Sequence, residues 1–72
     1  MDIFVKRIIS VNGEVRSDRV GRMVVPHGYG DDVQSFLTDR VELLCNQYAA
    51  RYDGKDVTVT MIHGDIHLVA SS

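Results

Sequence analysis

The first third of the chain has the apolar, β-branched character of a β-hairpin. Residues 3–11 are rich in Ile and Val and lead into Asn12-Gly13, a pair that favours a type I′ turn because both central residues need positive φ. The turn predicts cross-strand pairs of Val11 with Glu14, Ile9 with Arg16, Arg7 with Asp18, Val5 with Val20 and Lys6 with Arg19. We expect the last pair on a solvent-facing side, because like charges repel. We also expect a bulge at Gly21, and Pro26 to end the strand.

The middle of the chain has helical periodicity. Apolar residues recur every three or four positions with polar residues between them, so one stripe of the helix faces a core. The stripe contains Val33, Phe36, Leu37, Val41, Leu44, Tyr48 and Tyr52. Asp31 and Gln34 have the spacing of a capping box, and Asp53-Gly54 favours a left-handed helix end. These signals predict a helix over residues 32–51.

The last part of the chain alternates again and predicts a second hairpin. Val57, Val59 and Met61 lie on one side of a strand, and Gly64-Asp65 suits the centre of a type II′ turn. The resulting pairs are Met61 with Leu68, Val59 with Ala70 and Ile62 with His67. This register is self-consistent, because a slip of one residue would move half of the apolar side chains to the opposite face.

These elements predict a single α+β domain over residues 1–72 in the order ββαββ, with an antiparallel or mixed four-stranded sheet packed on one helix. The two ends of the chain resemble the first and last strands of ubiquitin. The residues that carry the resemblance are Met1, Ile3, Phe4, Val5 and Lys6 at the start and His67-Leu68-Val69 at the end. The resemblance implies a β-grasp-like sheet whose first and last strands are neighbours. It does not imply conjugation, because Ala70-Ser71-Ser72 stands where that family has a terminal glycine pair.

Charge and cysteine usage narrow the class of protein. The formal charge is −2, yet residues 1–22 carry five basic and three acidic residues, while the remainder carries three basic and seven acidic. Such a dipolar distribution favours an oriented encounter with a charged partner over free binding to nucleic acid. The start lacks the features of a secretory signal, no apolar run reaches the ~18 residues of a membrane span, and Cys45 has no disulfide partner. We therefore expect a soluble protein of the reducing cytoplasm.

Four segments resemble sites of chemistry, but each has a simpler structural interpretation. His63 and His67 flank a turn that directs their rings to opposite faces, which disfavours a shared metal ion. Asp31-Asp32 suits a helix start, and Cys45 suits the edge of a core. Gly28-Tyr29-Gly30 lacks the lysine of phosphate-binding loops. We therefore expect neither an enzyme nor a protein that holds a metal or cofactor.

The side of the sheet away from the helix predicts a binding surface. Its expected protein-binding residues are Phe4, Lys6, Ile8, Arg19, Ile62, His67 and Val69. An apolar patch with a polar rim is typical of an interaction site. We therefore expect a small non-catalytic regulator or inhibitor that binds a larger protein or protein complex. Phage inhibitors of host RNA polymerase or of defence nucleases are similar in size and simplicity.

Two alternative functions stay open. The first hairpin carries Lys6, Arg16, Arg19 and Arg22, which suit a nucleic-acid-binding module, although Glu14 and Asp18 interrupt the basic run. The other alternative is a structural or dimeric subunit, in which the same apolar patch is covered by a second copy of the chain.

Overall fold

The computed structural model describes all 72 residues and confirms an α+β fold in the order ββαββ. The elements are β1 (Asp2–Val11), β2 (Glu14–Val24), α1 (Val33–Arg51), β3 (Val57–His63) and β4 (Ile66–Ser71), with one 3-10 turn at His27–Tyr29. Both predicted turn types are present. Asn12 and Gly13 have φ angles of 51° and 80°, as a type I′ turn requires. In the second turn only Gly64 has a positive φ, of 56°, as a type II′ turn requires.

The four strands form one antiparallel sheet in the order β2-β1-β3-β4. The β-grasp-like order was therefore wrong, since β1 pairs with β3 and β4 lies at the far edge. Lys6 to Val11 of β1 pair with Ile62 to Val57 of β3, which occupies the position that the resemblance gave to the last strand. A few β-branched residues at each end fit any strand, so they do not specify which strands are neighbours.

The register of the first hairpin differs from the prediction because the bulge lies at Arg16. Ser10 pairs with Val15 but Ile9 pairs with Ser17, so Arg16 is the extra residue. Every pair beyond it moves by one position. Arg7 therefore faces Arg19 instead of Asp18, and Lys6 faces Val20 instead of Arg19. The second hairpin has the predicted register throughout.

The helix begins one residue later than predicted. Asp32 is its N-cap: the Ser35 backbone N–H donates to Asp32 Oδ1 at 3.0 Å, and the Ser35 hydroxyl donates to Asp32 Oδ2 at 2.8 Å. The capping box of Asp31 with Gln34 was wrong by one position. These two hydrogen bonds lower the pKa of the Asp32 carboxyl, because they stabilise its charged form.

The core lies between α1 and the inner side of the sheet. It comprises twelve buried residues: Ile3, Val5, Ile9, Val11, Val25, Phe36, Leu37, Val41, Cys45, Val57, Val59 and Met61. Cys45 is buried and Leu44 only half-buried, so the helix is rotated slightly from the predicted stripe. No helix combines the length and apolar character needed to cross a lipid bilayer.

The helix covers only part of the sheet. The backbone of α1 packs against β3 and β4 and lies farther from β1 and β2. In consequence, none of the eleven residues of β2 is buried, although the strand is the longest in the protein. Both sides of β2 are therefore accessible to solvent.

Candidate functional site

The side of the sheet opposite α1, which we call the outward sheet face, combines alternate residues of all four strands. The register assigns to it Asp2, Phe4, Lys6, Ile8 and Ser10 of β1, Val15, Asp18, Val20, Arg22 and Val24 of β2, Thr58, Thr60 and Ile62 of β3, and His67, Val69 and Ser71 of β4. No helix, loop or terminus packs over this face. It is one continuous surface across the sheet.

Six of the seven predicted binding residues lie together on the outward sheet face: Phe4, Lys6, Ile8, Ile62, His67 and Val69. One cross-strand row runs Val20, Lys6, Ile62, His67, and the next runs Asp18, Ile8, Thr60, Val69. Their role in binding stays a prediction. Placing Arg19 among them was wrong, because the bulge at Arg16 turns Arg19 to the helix side of the sheet, opposite Arg7.

Three valines of β2 add to this face and were missed from the sequence. Val15, Val20 and Val24 are 58%, 65% and 61% exposed, close to Phe4 at 66% and Val69 at 57%. The predicted register had placed Val20 opposite Val5 in the core. One signal was available: Val15 and Val20 are an odd number of residues apart, so they share a face only if the strand contains an extra residue.

The charged residues of the outward sheet face neutralise one another. Lys6 Nζ lies 3.8 Å from Asp18 Oδ1, and Arg22 Nη1 lies 3.8 Å from Asp2 Oδ2. These exposed pairs contribute little to stability. The pairs leave little net charge on this face. A surface with paired charges and five large exposed apolar side chains attracts neither a polyanion nor a polycation strongly.

The other side of the β1–β2 hairpin is basic. Two adjacent hollows of about 280 and 340 Å³ lie between β2 and α1 and share Arg7 as a common wall. The first is lined by Arg7, Ile9, Arg16, Ser17, Arg19, Leu44 and Tyr48, the second by Arg7, Arg22, Met23, Val24, Pro26, Phe36 and Arg40. No Asp or Glu lines either hollow. We call the two together the arginine groove.

Arg7 stands at the centre of this groove in an unusual environment. It follows Val5 and precedes Ile9 on the core side of β1, and its Nε is buried without a hydrogen-bond partner. The guanidinium lies over Gly21, where a β-carbon would come within 3.0 Å of Nη2. Gly21, which we expected to form a bulge, instead leaves the space that this guanidinium occupies.

The two histidines that flank the second turn do not lie together. His63 and His67 lie on opposite faces of the sheet, as predicted. The Nδ1–H of His63 donates to the Phe4 carbonyl at 2.8 Å, which ties the end of β3 to β1. No three His, Cys, Asp or Glu side chains converge as a group of metal ligands.

The remaining polar contacts concern the helix. Burial raises the pKa of the Cys45 thiol, whose Sγ lies 3.8 Å from the Val57 carbonyl oxygen, and so disfavours the reactive thiolate. The Tyr29 hydroxyl donates to Asp39 Oδ2 at 2.6 Å, and this bond raises the pKa of Tyr29.

In comparisons with known proteins, no family model matches this chain, and no curated protein or solved structure is significantly similar to it.

Proposed function

We propose that this chain is a small, non-catalytic regulator that binds a larger protein through its outward sheet face. The observation that carries the proposal is the concentration of large, exposed apolar side chains on a single face: Phe4, Val15, Val20, Val24 and Val69 are each more than half exposed. Contiguous apolar surface of this kind is rare in monomeric proteins unless it serves an interaction.

The chemistry of the face favours a protein surface as its partner. Its charges are already paired within the chain, so an approaching surface does not have to neutralise them. Four strands about 4.8 Å apart, rising about 3.3 Å per residue, give a face on the order of 500 Å². This area approaches the ~800 Å² that each partner contributes to a stable interface, and Phe4 is the aromatic side chain suited to anchor it.

The partner is, in this proposal, a cytoplasmic machine such as an RNA polymerase or a defence nuclease, and binding changes the activity of that machine. The free, buried thiol of Cys45 supports a reducing compartment. The absence of any assembled acid, base and nucleophile on the outward sheet face supports binding rather than catalysis.

Affinity purification from the source organism with quantitative mass spectrometry tests this function. The wild-type chain is compared with Val20→Lys, which places a charge among the exposed apolar side chains of the outward sheet face. Asn46→Lys, on the exposed side of α1, is the matched control for added charge. The proposal predicts a protein that is enriched by wild type and Asn46→Lys and lost with Val20→Lys.

The captured protein must then bind the purified chain directly. If Val20→Lys and Asn46→Lys capture equal amounts of that protein, the outward sheet face is not the docking surface. The remaining outcome is that the purified chain forms a dimer, that Val20→Lys abolishes the dimer, and that no other protein is captured. This outcome contradicts the proposed regulatory function and favours a self-associating subunit.

A further inference from the structure

The arginine groove lies on the side of the β1–β2 hairpin opposite the proposed docking face, and it has a different chemistry. Four of the six arginines in the chain line it from the helix side of the sheet: Arg7, Arg16, Arg19 and Arg40. Arg22 borders the second hollow, but its side chain belongs to the outward sheet face, where it pairs with Asp2. We propose that this groove binds single-stranded nucleic acid through its phosphate groups. This second activity is independent of the function proposed for the outward sheet face.

The arrangement is electrostatically unfavourable without an anion. Arg7 and Arg19 face each other directly across β1 and β2, and like charges in that position repel. Arg16 of the groove lies 3.8 Å from a carboxylate oxygen of Glu14, whereas Arg7, Arg19 and Arg40 have no carboxylate partner. The buried Nε of Arg7 is in addition an unsatisfied donor, which costs stability in the free protein. A bound anion relieves the repulsion between the two guanidinium groups.

Edge-strand protection explains only part of this cluster. Charged residues on an edge strand prevent unwanted strand pairing, and this accounts for Arg16, Arg19 and Arg22 on β2. It does not account for Arg7, which lies on an inner strand, or for Arg40, which comes from α1. Three separate elements direct arginines into the same groove, as a binding site requires.

Phosphate is the anion that suits the groove. Planar guanidinium groups bind phosphate oxygens in pairs, and several of them along a line follow a phosphate backbone. Arg16 and Arg19 are three residues apart on β2, a separation of roughly 10 Å at 3.3 Å per residue, and Arg40 of α1 lines the second hollow. Cations spaced in this way suit linked phosphates better than one isolated ion.

The shape of the groove favours a single strand. The hollows between the strand and the helix have volumes of only about 280 and 340 Å³, so they admit part of a single strand and not the body of a duplex. Tyr48 lines the first hollow beside Arg16 and Arg19. Its ring stacks with Tyr52 and lies under the Arg51 guanidinium, so the hollow has an aromatic side chain beside its cations. Basic grooves with aromatic side chains are typical of proteins that bind single strands without sequence preference.

Fluorescence anisotropy with labelled oligothymidylate and oligouridylate at low salt tests the proposal. Arg19→Gln and Arg40→Gln remove one groove cation each from different elements, and each is expected to weaken binding about tenfold, the loss of one charge-assisted contact. Each is also expected to lower the slope of log affinity against log salt by about one. Lys55→Gln removes the same charge outside the groove and is expected to leave the affinity within about twofold. Circular dichroism verifies that every variant is folded.

Three outcomes overturn the proposal. The first is no binding to either oligonucleotide at micromolar protein in ~50 mM salt. The second is an equal loss of affinity in Lys55→Gln and the groove variants, since binding then follows total charge rather than this site. The third is displacement by polyglutamate at an equal concentration of charge, which identifies an acidic protein segment as the occupant. Val20→Lys is expected to retain binding, so failure of the groove and failure of the outward sheet face are distinguishable.

Discussion

The two hairpins of this protein obey the same rules of β structure to very different degrees. In β3 and β4, beneath α1, inner residues are apolar and the register is regular, with Val57, Val59 and Met61 all buried. In the first hairpin, β2 has no buried residue, contains a bulge, exposes three valines and sets Arg19 against Arg7. Local conflicts of this kind are typical of functional surfaces. We therefore expect the core that α1 forms with β1 and β3 to supply most of the stability, and the open strand β2 to contribute mainly to binding.

The largest effect on stability is expected from a substitution in the core beneath α1. Leu37 is fully buried at 0% exposure, so Leu37→Ala should lower the free energy of unfolding by about 2–5 kcal/mol. Leu43, which is 45% exposed on the same helix, provides the control: Leu43→Ala should change it by less than about 0.5 kcal/mol. Urea denaturation of both variants measures the difference. Similar losses for the two would mean that α1 presents a different side to the sheet.

An intermediate effect of opposite sign is expected on the open side. Arg7→Met keeps the methylene packing of the side chain and removes the unsatisfied donor and the repulsion with Arg19, so it should raise the free energy of unfolding by about 1 kcal/mol. Lys55→Met, which also removes one positive charge at an exposed position, is the control and should be close to neutral. Destabilisation by Arg7→Met would show that the guanidinium has a stabilising partner in the folded protein.

A smaller effect concerns the helix cap and depends on pH. The pKa of Asp32 is lowered from its ordinary value of 3.8, so its contribution to stability is present above pH 3.8 and is lost as pH falls through the lowered pKa. Asp32→Ala should therefore destabilise the protein at neutral pH, and the difference from wild type should shrink in acid. Asp31→Ala, at the neighbouring exposed carboxylate, should have less effect at neutral pH. Thermal melts from pH 2 to 7 make this comparison, and an equal effect at Asp31 would restore the predicted capping box.

Local signals in the sequence identify most of the fold. Asn12-Gly13 and Gly64-Asp65 fix both turns, and the alternation through Val57, Val59 and Met61 fixes the second hairpin. Sheet order depends on which strand edge the chain reaches after α1, and short apolar strings do not encode it. The bulge at Arg16 has no glycine or proline to mark it, and its position decides which side Arg19 and Val20 occupy.

The candidate site was predictable from the sequence on three of its four strands. Residues of β1, β3 and β4 alternate regularly, so Phe4, Ile62 and Val69 were assigned to the correct side of the sheet. The contribution of β2 depended on the unmarked bulge and was therefore missed. The sequence also did not predict that Arg7 and Arg40 line the same hollow, because this depends on where α1 crosses the sheet.

The affinity of outward-face variants for the captured protein tests the central claim most directly. Titration calorimetry should show that Phe4→Ala and Val69→Ala each weaken binding by more than about 1 kcal/mol, as expected for desolvated anchors, while their unfolding free energies change by less than about 0.5 kcal/mol. Thr38→Ala and Asn46→Ala on α1 should bind like wild type. If the helix variants lose binding and the two strand variants keep it, the outward sheet face is not the docking surface.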